Sequence, residues 1–247
     1  MGLISQKIER SELKDGDHIY NWRMPGYTHH GIYVGEGKII HFVNPKRKAG
    51  DGNLLTKFIG SSSTSGTGGE QEEKTPCSKS FCKLEKVAGS GVKLSCIDCF
   101  IKKGSLHRFE YKASRTFLLA KMVGGTCTTA ESDPPEEVIH RANYLHENGY
   151  GKYDLINNNC EDFALYCKTG LWSTDKWYQG RSGQANMIHP TSQDKKDKDL
   201  GESVHRYATA IPRSFSKRQN KDLGLREDVV KVPVEELASF CASLLLK

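Results

Sequence analysis

The feature that most constrains the fold is the segment YTHHGIYVGEGKIIHFV, residues 27–43, which reads as a β-hairpin. One apolar run ends at Val34, Gly35-Glu36-Gly37 supplies a turn, and a second apolar run extends from Ile39 to Val43. With the turn centred on Glu36, Gly31 faces His41 and Tyr33 faces Ile39. His29 and His41 then share one face as diagonal neighbours, about 7–8 Å apart at the backbone and within reach of a common partner. A two-residue turn would shift the register by one and break that pairing. His30 falls on the opposite face with Ile32 and Val34. Gly31, beside His29, leaves room for another backbone to come close. Upstream, Asp15-Gly16-Asp17 reads as a turn that feeds a further strand from His18.

A second constraint is the helix in NNNCEDFALYCKTG. Asn159 is its expected cap, Phe163, Ala164 and Cys167 form its buried stripe, and Gly170 stops it. Cys160 falls in the first turn, where the positive dipole end and unpaired N–H groups favour a thiolate. An imidazole alongside could pair with that thiolate, and a second could orient the first. The same N–H groups could stabilise an oxyanion. The expected site is therefore Cys160 as nucleophile, His29 as general base and then acid, and His41 orienting His29. Tyr33 and Asn159 are neighbours without assigned roles. The bland reading keeps Cys160 as a structural thiol and the histidines as satisfied core residues. Cys167 and Cys241, within apolar stripes, read as small core hydrophobes.

Elsewhere the chain alternates between ordered and polar stretches. From Asn44 to Lys74 periodicity is lost, and GSSSTSGTGGEQEEK reads as a flexible Gly/Ser-rich loop. A cysteine-bearing insert, residues 77–99, follows. SLHRFEYK and TFLLAKMV read as strands or edge segments. Asp133-Pro134-Pro135 is expected to open a helix capped by Asp133, with Glu136 and Glu137 at its positive end and Gly149 as its stop. GKYDLI reads as a short strand. Residues 175–227 are polar without a period, and a helix from Pro233 places Val234, Leu237, Ala238, Cys241, Leu244 and Leu245 on one face. The expected organisation is a domain over 13–172, containing the loop and insert at 60–100, and an extension over 173–247 ending in an amphipathic helix at 233–246. That helix is too short to cross a bilayer and is expected to dock on the core.

The net charge of +6 is spread along the chain, and no run of five Lys/Arg occurs, which argues against nucleic-acid binding. No secretory h-region and no stretch of about 20 apolar residues are present. Met1-Gly2 invites N-myristoylation, but Gln6 stands where Ser or Thr is wanted. The expected compartment is the reducing cytosol, so the eight cysteines read as thiols or metal ligands rather than disulfides. Cys77, Cys82, Cys96 and Cys99 could wrap a tetrahedral zinc, the rival being free thiols in a mobile loop.

Taken together, HHGIYVGEGKIIHF and the distant NNCEDF resemble the lecithin:retinol acyltransferase family, also called NC-domain proteins. The shared pattern is a histidine before a small-residue/IYVG strand, a second histidine twelve residues on, and an Asn-Cys-Glu-x-Phe box. Matches run from about Leu13 to Gly170, and the long insert and extension are most similar to the plant-type, lead-sensitive-like members. The resemblance implies an α+β, permuted papain-like (NlpC-type) domain, its antiparallel sheet meeting the nucleophile at a helix N-terminus. It also implies thiol-dependent acyl transfer or phospholipase A-like hydrolysis through a thioester on Cys160, with an acyl lipid or other acyl donor and no catalytic cofactor. Peripheral membrane contact belongs to the same expectation. Two positions depart from the pattern: Asp162 stands where many animal members have His, and His30 replaces a common Trp. An NlpC-like cysteine peptidase or amidase and a non-catalytic scaffold are the alternatives.

Overall fold

The computed structural model describes residues 6–24, 27–45, 77–102, 104–120, 125–154, 158–174 and 222–245 of the 247. The Met1-Gly2 start, the Pro25-Gly26 turn, the Gly/Ser loop and the polar stretch through 221 lie outside the described residues.

A six-stranded antiparallel sheet organises the chain. Its strands are β1 (Gln6–Lys7), β2 (His18–Met24), β3 (Tyr27–Tyr33), β4 (Lys38–Phe42), β5 (Val92–Cys96) and β6 (His107–Arg108), in the order β1-β6-β2-β3-β4-β5. The hairpin has the expected register, with Tyr33 opposite Ile39 and Ile32 opposite Ile40. Its turn needs three successive left-handed residues, at φ of 90°, 51° and 70°, and glycine fills two of them around Glu36.

Both faces of this sheet are covered, which accounts for apolar residues running consecutively along β4 rather than alternating. Ile32, Ile40, Phe42 and Val92 pack on α3 (Pro135–Asn148) and α4 (Cys160–Thr169) through Val138, Ala142, Leu145, Phe163, Ala164 and Cys167. On the other face Ile19 and Ile39 meet Phe100 and Ile101 of α1 (Ile97–Ile101), together with Ile8 and Leu106. Burying one such side chain stabilises by about 1.5–3 kcal/mol. Cys167 is core, as expected.

Several local readings change. The second half of the cysteine-bearing insert, to which no element was assigned, is β5 and α1. Of TFLLAKMV, residues 116–120 are not a strand, and residues 121–123 lie outside the described residues. Residues Arg115–Ala120 form helix α2, nucleated by Ser114, whose hydroxyl accepts the Phe117 N–H. Of SLHRFEYK only His107–Arg108 is a ladder strand. Within GKYDLI, Asp154 bridges Asn158, and residues 155–157 are outside the described set. Helix α3 starts at Pro135 with Pro134 as its cap, not Asp133. The Asp133 carboxylate is drawn to Arg141 at 2.7 Å, because that nearly buried guanidinium requires a counter-charge, and to Lys231 at 2.7 Å.

The described end of the C-terminal extension, residues 222–245, is docked. β7 (Leu171–Ser173) pairs with β8 (Val229–Lys231), and Val232, Val234 and Leu237 are buried in the main core. The last helix, α5 (Leu237–Leu245), begins four residues later than Pro233, after a turn closed by Glu236 N–H to the Pro233 carbonyl. Phe240 and Cys241 pack against the core from it. No described helix is long and apolar enough to cross a membrane.

Candidate active site

Strand alternation turns His29, Gly31 and His41 toward α1, away from the Ile32 face. His29 Nε2 lies 2.8 Å from His41 Nδ1, and His41 Nε2 lies 2.8 Å from the Ser95 hydroxyl on β5. The two imidazoles stand nearly perpendicular, and the Phe100 ring sits 5.2 Å from the first and 5.5 Å from the second. The expected space at Gly31 exists, but a side chain fills it. A Cβ there would come within 2.9 Å of the Phe100 ring and 2.8 Å of Ile39.

Burial, followed by the neighbouring His41 and Arg23, holds the His29 pKa well below the ordinary histidine value. Burial first, with Arg23 and the nearby lysines, lowers that of His41 to about 3. Both imidazoles are therefore neutral at physiological pH. The expected resting ion pair of thiolate and imidazolium is disfavoured for that reason.

Cys160 is the first residue of α4 and is fully buried. Its position is fixed by a reciprocal cap. The Asn159 side-chain oxygen accepts the N–H groups of Glu161 (2.8 Å) and Asp162 (3.2 Å), and the Asp162 carboxylate accepts the Asn159 N–H (2.9 Å). Asp162, the departure from the animal pattern, thus closes the cap. The expectation that these helix-end N–H groups serve an oxyanion is corrected for Glu161 and Asp162, since Asn159 already occupies them. The Cys160 thiol points at the Thr28 carbonyl oxygen, 3.8 Å away. The thiol thus meets β3 at the residue before His29, from the face that α4 covers, while the imidazole pair lies on the face toward Phe100. Tyr33 is not part of this group: its hydroxyl accepts the Gly37 N–H and closes the hairpin turn.

A second buried chain was not anticipated. Tyr111 Oη lies 2.8 Å from His18 Nδ1, His18 Nε2 lies 2.8 Å from His30 Nδ1, and His30 Nε2 lies 2.7 Å from Thr28 Oγ1. It runs toward Glu161, whose buried charge helps raise the Tyr111 pKa after desolvation. The only sequence signal for it was the doubled histidine at 29–30, with His18 on the strand next door.

The four insert cysteines also converge. Their sulfurs all lie within 4.8 Å of one another, a grouping able to hold a metal ion.

Comparison with known proteins agrees with the residue pattern. The family model described as lecithin retinol acyltransferase matches residues 11–173. The chain is 43% identical over 249 residues to Protein LEAD-SENSITIVE 1 of Arabidopsis thaliana, covering 98% of this chain and 93% of that one. No solved structure gives a significant match.

Proposed function

Because the chain belongs to the lecithin retinol acyltransferase family, we propose that it is a thiol-dependent acyltransferase or lipid acyl hydrolase acting through a thioester on Cys160. The observation that carries this reading is the 2.8 Å pairing of His29 on β3 with His41 on β4, next to the Thr28 carbonyl that the Cys160 thiol reaches. The antiparallel sheet with Cys160 opening a buried helix supports the permuted papain-like reading of the fold.

The hydrogen-bond chain selects the tautomers. For His29 to act as a base, Nδ1 must carry the lone pair, so Nε2–H donates to His41 Nδ1 and His41 Nε2–H donates to Ser95. In the reaction proposed, the movement that admits the acyl donor also brings the thiol to His29 Nδ1, which takes its proton as sulfur attacks the acyl carbonyl. The tetrahedral adduct collapses with cleavage of the acyl–oxygen bond, and the imidazolium returns its proton to the leaving alkoxide. An acceptor alcohol, amine or water, deprotonated by His29, next attacks the thioester and releases the thiol. His41 holds His29 in the required tautomer and accepts its N–H in both charge states.

Full burial of Cys160 means that an acyl donor reaches it only when the surrounding segments move aside. That burial also favours the rival reading, a non-catalytic scaffold. Incubation of the full chain with phosphatidylcholine vesicles separates the two: free fatty acid release or acyl exchange that is lost in Cys160→Ser supports the enzyme. Turnover of peptide amides without any reaction of lipid esters would favour a peptidase. The working environment proposed is the reducing cytosol, with transient contact at a membrane surface.

A further inference from the structure

Cys77 and Cys82 come from the described part of the insert, Cys96 from the end of β5, and Cys99 from α1. Cys77 Sγ lies 3.7 Å from Cys96 Sγ, and Cys82 Sγ lies 3.6 Å from the same atom. These are not disulfides, which hold sulfurs about 2.05 Å apart. A zinc ion bound at about 2.3 Å by four thiolates sets the edges of its tetrahedron at about 3.8 Å, close to the spacing found. We propose that these cysteines form a structural tetrathiolate zinc site that clamps the insert to α1.

Backbone N–H groups reach two of the four sulfurs. The Cys96 N–H points at Cys82 Sγ, 3.4 Å away, and the Lys79 N–H bonds the Cys77 sulfur. A zinc with four thiolates carries two net negative charges, and Lys38 stands directly across the ladder from Cys96. Binding releases the four thiol protons and involves no redox change. Cys96 is also the cap residue of α1, and Cys99 precedes the Phe100 ring that lies on His29 and His41. The metal would therefore anchor the short helix that covers the imidazole pair, a helix whose single turn and a half has little stability of its own.

The test uses the full chain purified without chelators. Elemental analysis is expected to find about one zinc per chain, falling several-fold in Cys77→Ser and in Cys99→Ser and unchanged in Cys127→Ser. Cobalt exchanged into the wild-type chain is expected to give the intense absorption of tetrahedral four-sulfur coordination. That second readout needs no variant to fold. Sub-stoichiometric zinc, iron in its place, or a cobalt spectrum with fewer than four sulfurs would overturn the site. None of these readings depends on acyl chemistry at Cys160, so either idea can fail without the other.

Discussion

His29 Nε2 and His41 Nδ1 face each other at 2.8 Å across two strands of one hairpin, and both rings are buried. This contact makes the two histidines a single unit with one proton pattern, and the unit is held from behind by Ser95. Loss of the base is expected to slow thioester formation about 10²–10⁴-fold in His29→Gln. Loss of the orienting ring in His41→Leu should cost less, roughly 10–100-fold, by analogy with groups that fix a functional imidazole from behind. Single-turnover acylation rates check both. Equal rates in wild type and His29→Gln would remove His29 from the mechanism.

Buried histidines, His18, His29, His30 and His41 above all and His107 to a lesser degree, make stability depend on pH in a distinctive window. Burial depresses His18, His29, His30 and His41, the last two to about 3. Between the unfolded value near 6.5 and those folded values, the unfolded chain binds protons that the native chain does not. Stability is thus full above about pH 6.5 and falls as pH drops, by at most about 1.4 kcal/mol per pH unit for each histidine. Urea denaturation between about pH 7 and pH 5 should show the loss; a flat profile there would contradict neutral burial of these rings.

Asn159 is expected to matter through geometry. In Asn159→Ala the Glu161 and Asp162 amides lose their acceptor, which costs about 1–2 kcal/mol. Acylation should fall further than stability accounts for, because Cys160 is the next residue. Asn159→Asp keeps an acceptor oxygen and should retain most of the thermal stability. If Asn159→Ala melts like wild type, the cap is not what fixes the helix start.

Gly31→Val tests the packing over the imidazoles. The new side chain would collide with Ile39 and the Phe100 ring, at an overpacking cost of about 1–3 kcal/mol. Gly31→Val with Phe100→Ala should regain part of that loss. Strict additivity in thermal melts of the double variant would mean that Phe100 is not what presses on Gly31.

The hairpin and the Asn159–Cys160 cap were legible in the sequence because each is local. Turn chemistry fixed the register that brings His29 beside His41, and a capping residue followed by an apolar stripe marked α4. Partners brought from afar were not legible. Val229–Lys231 pairs with Leu171–Ser173 across a long polar stretch, and nothing in either triplet names the other. Val92–Cys96 was hidden by the cysteines and glycines around it, although its cross-strand partners Lys38–Phe42 were clear. The TFLLA segment mixes strand-favouring Thr116 and Phe117 with helix-favouring Leu118, Leu119 and Ala120, and the Ser114 cap decides it as helix. Nothing in the sequence linked His18 to His30, because strand pairing, not spacing, joins them.

The most direct test of the account is the mass of the Cys160 peptide after brief exposure of the full chain to an activated acyl ester. The account predicts one acyl adduct, on Cys160, absent in Cys160→Ser and formed far more slowly in His29→Gln. An adduct confined to the half-buried cysteines, or one on Cys160 that forms as fast without His29, would contradict it.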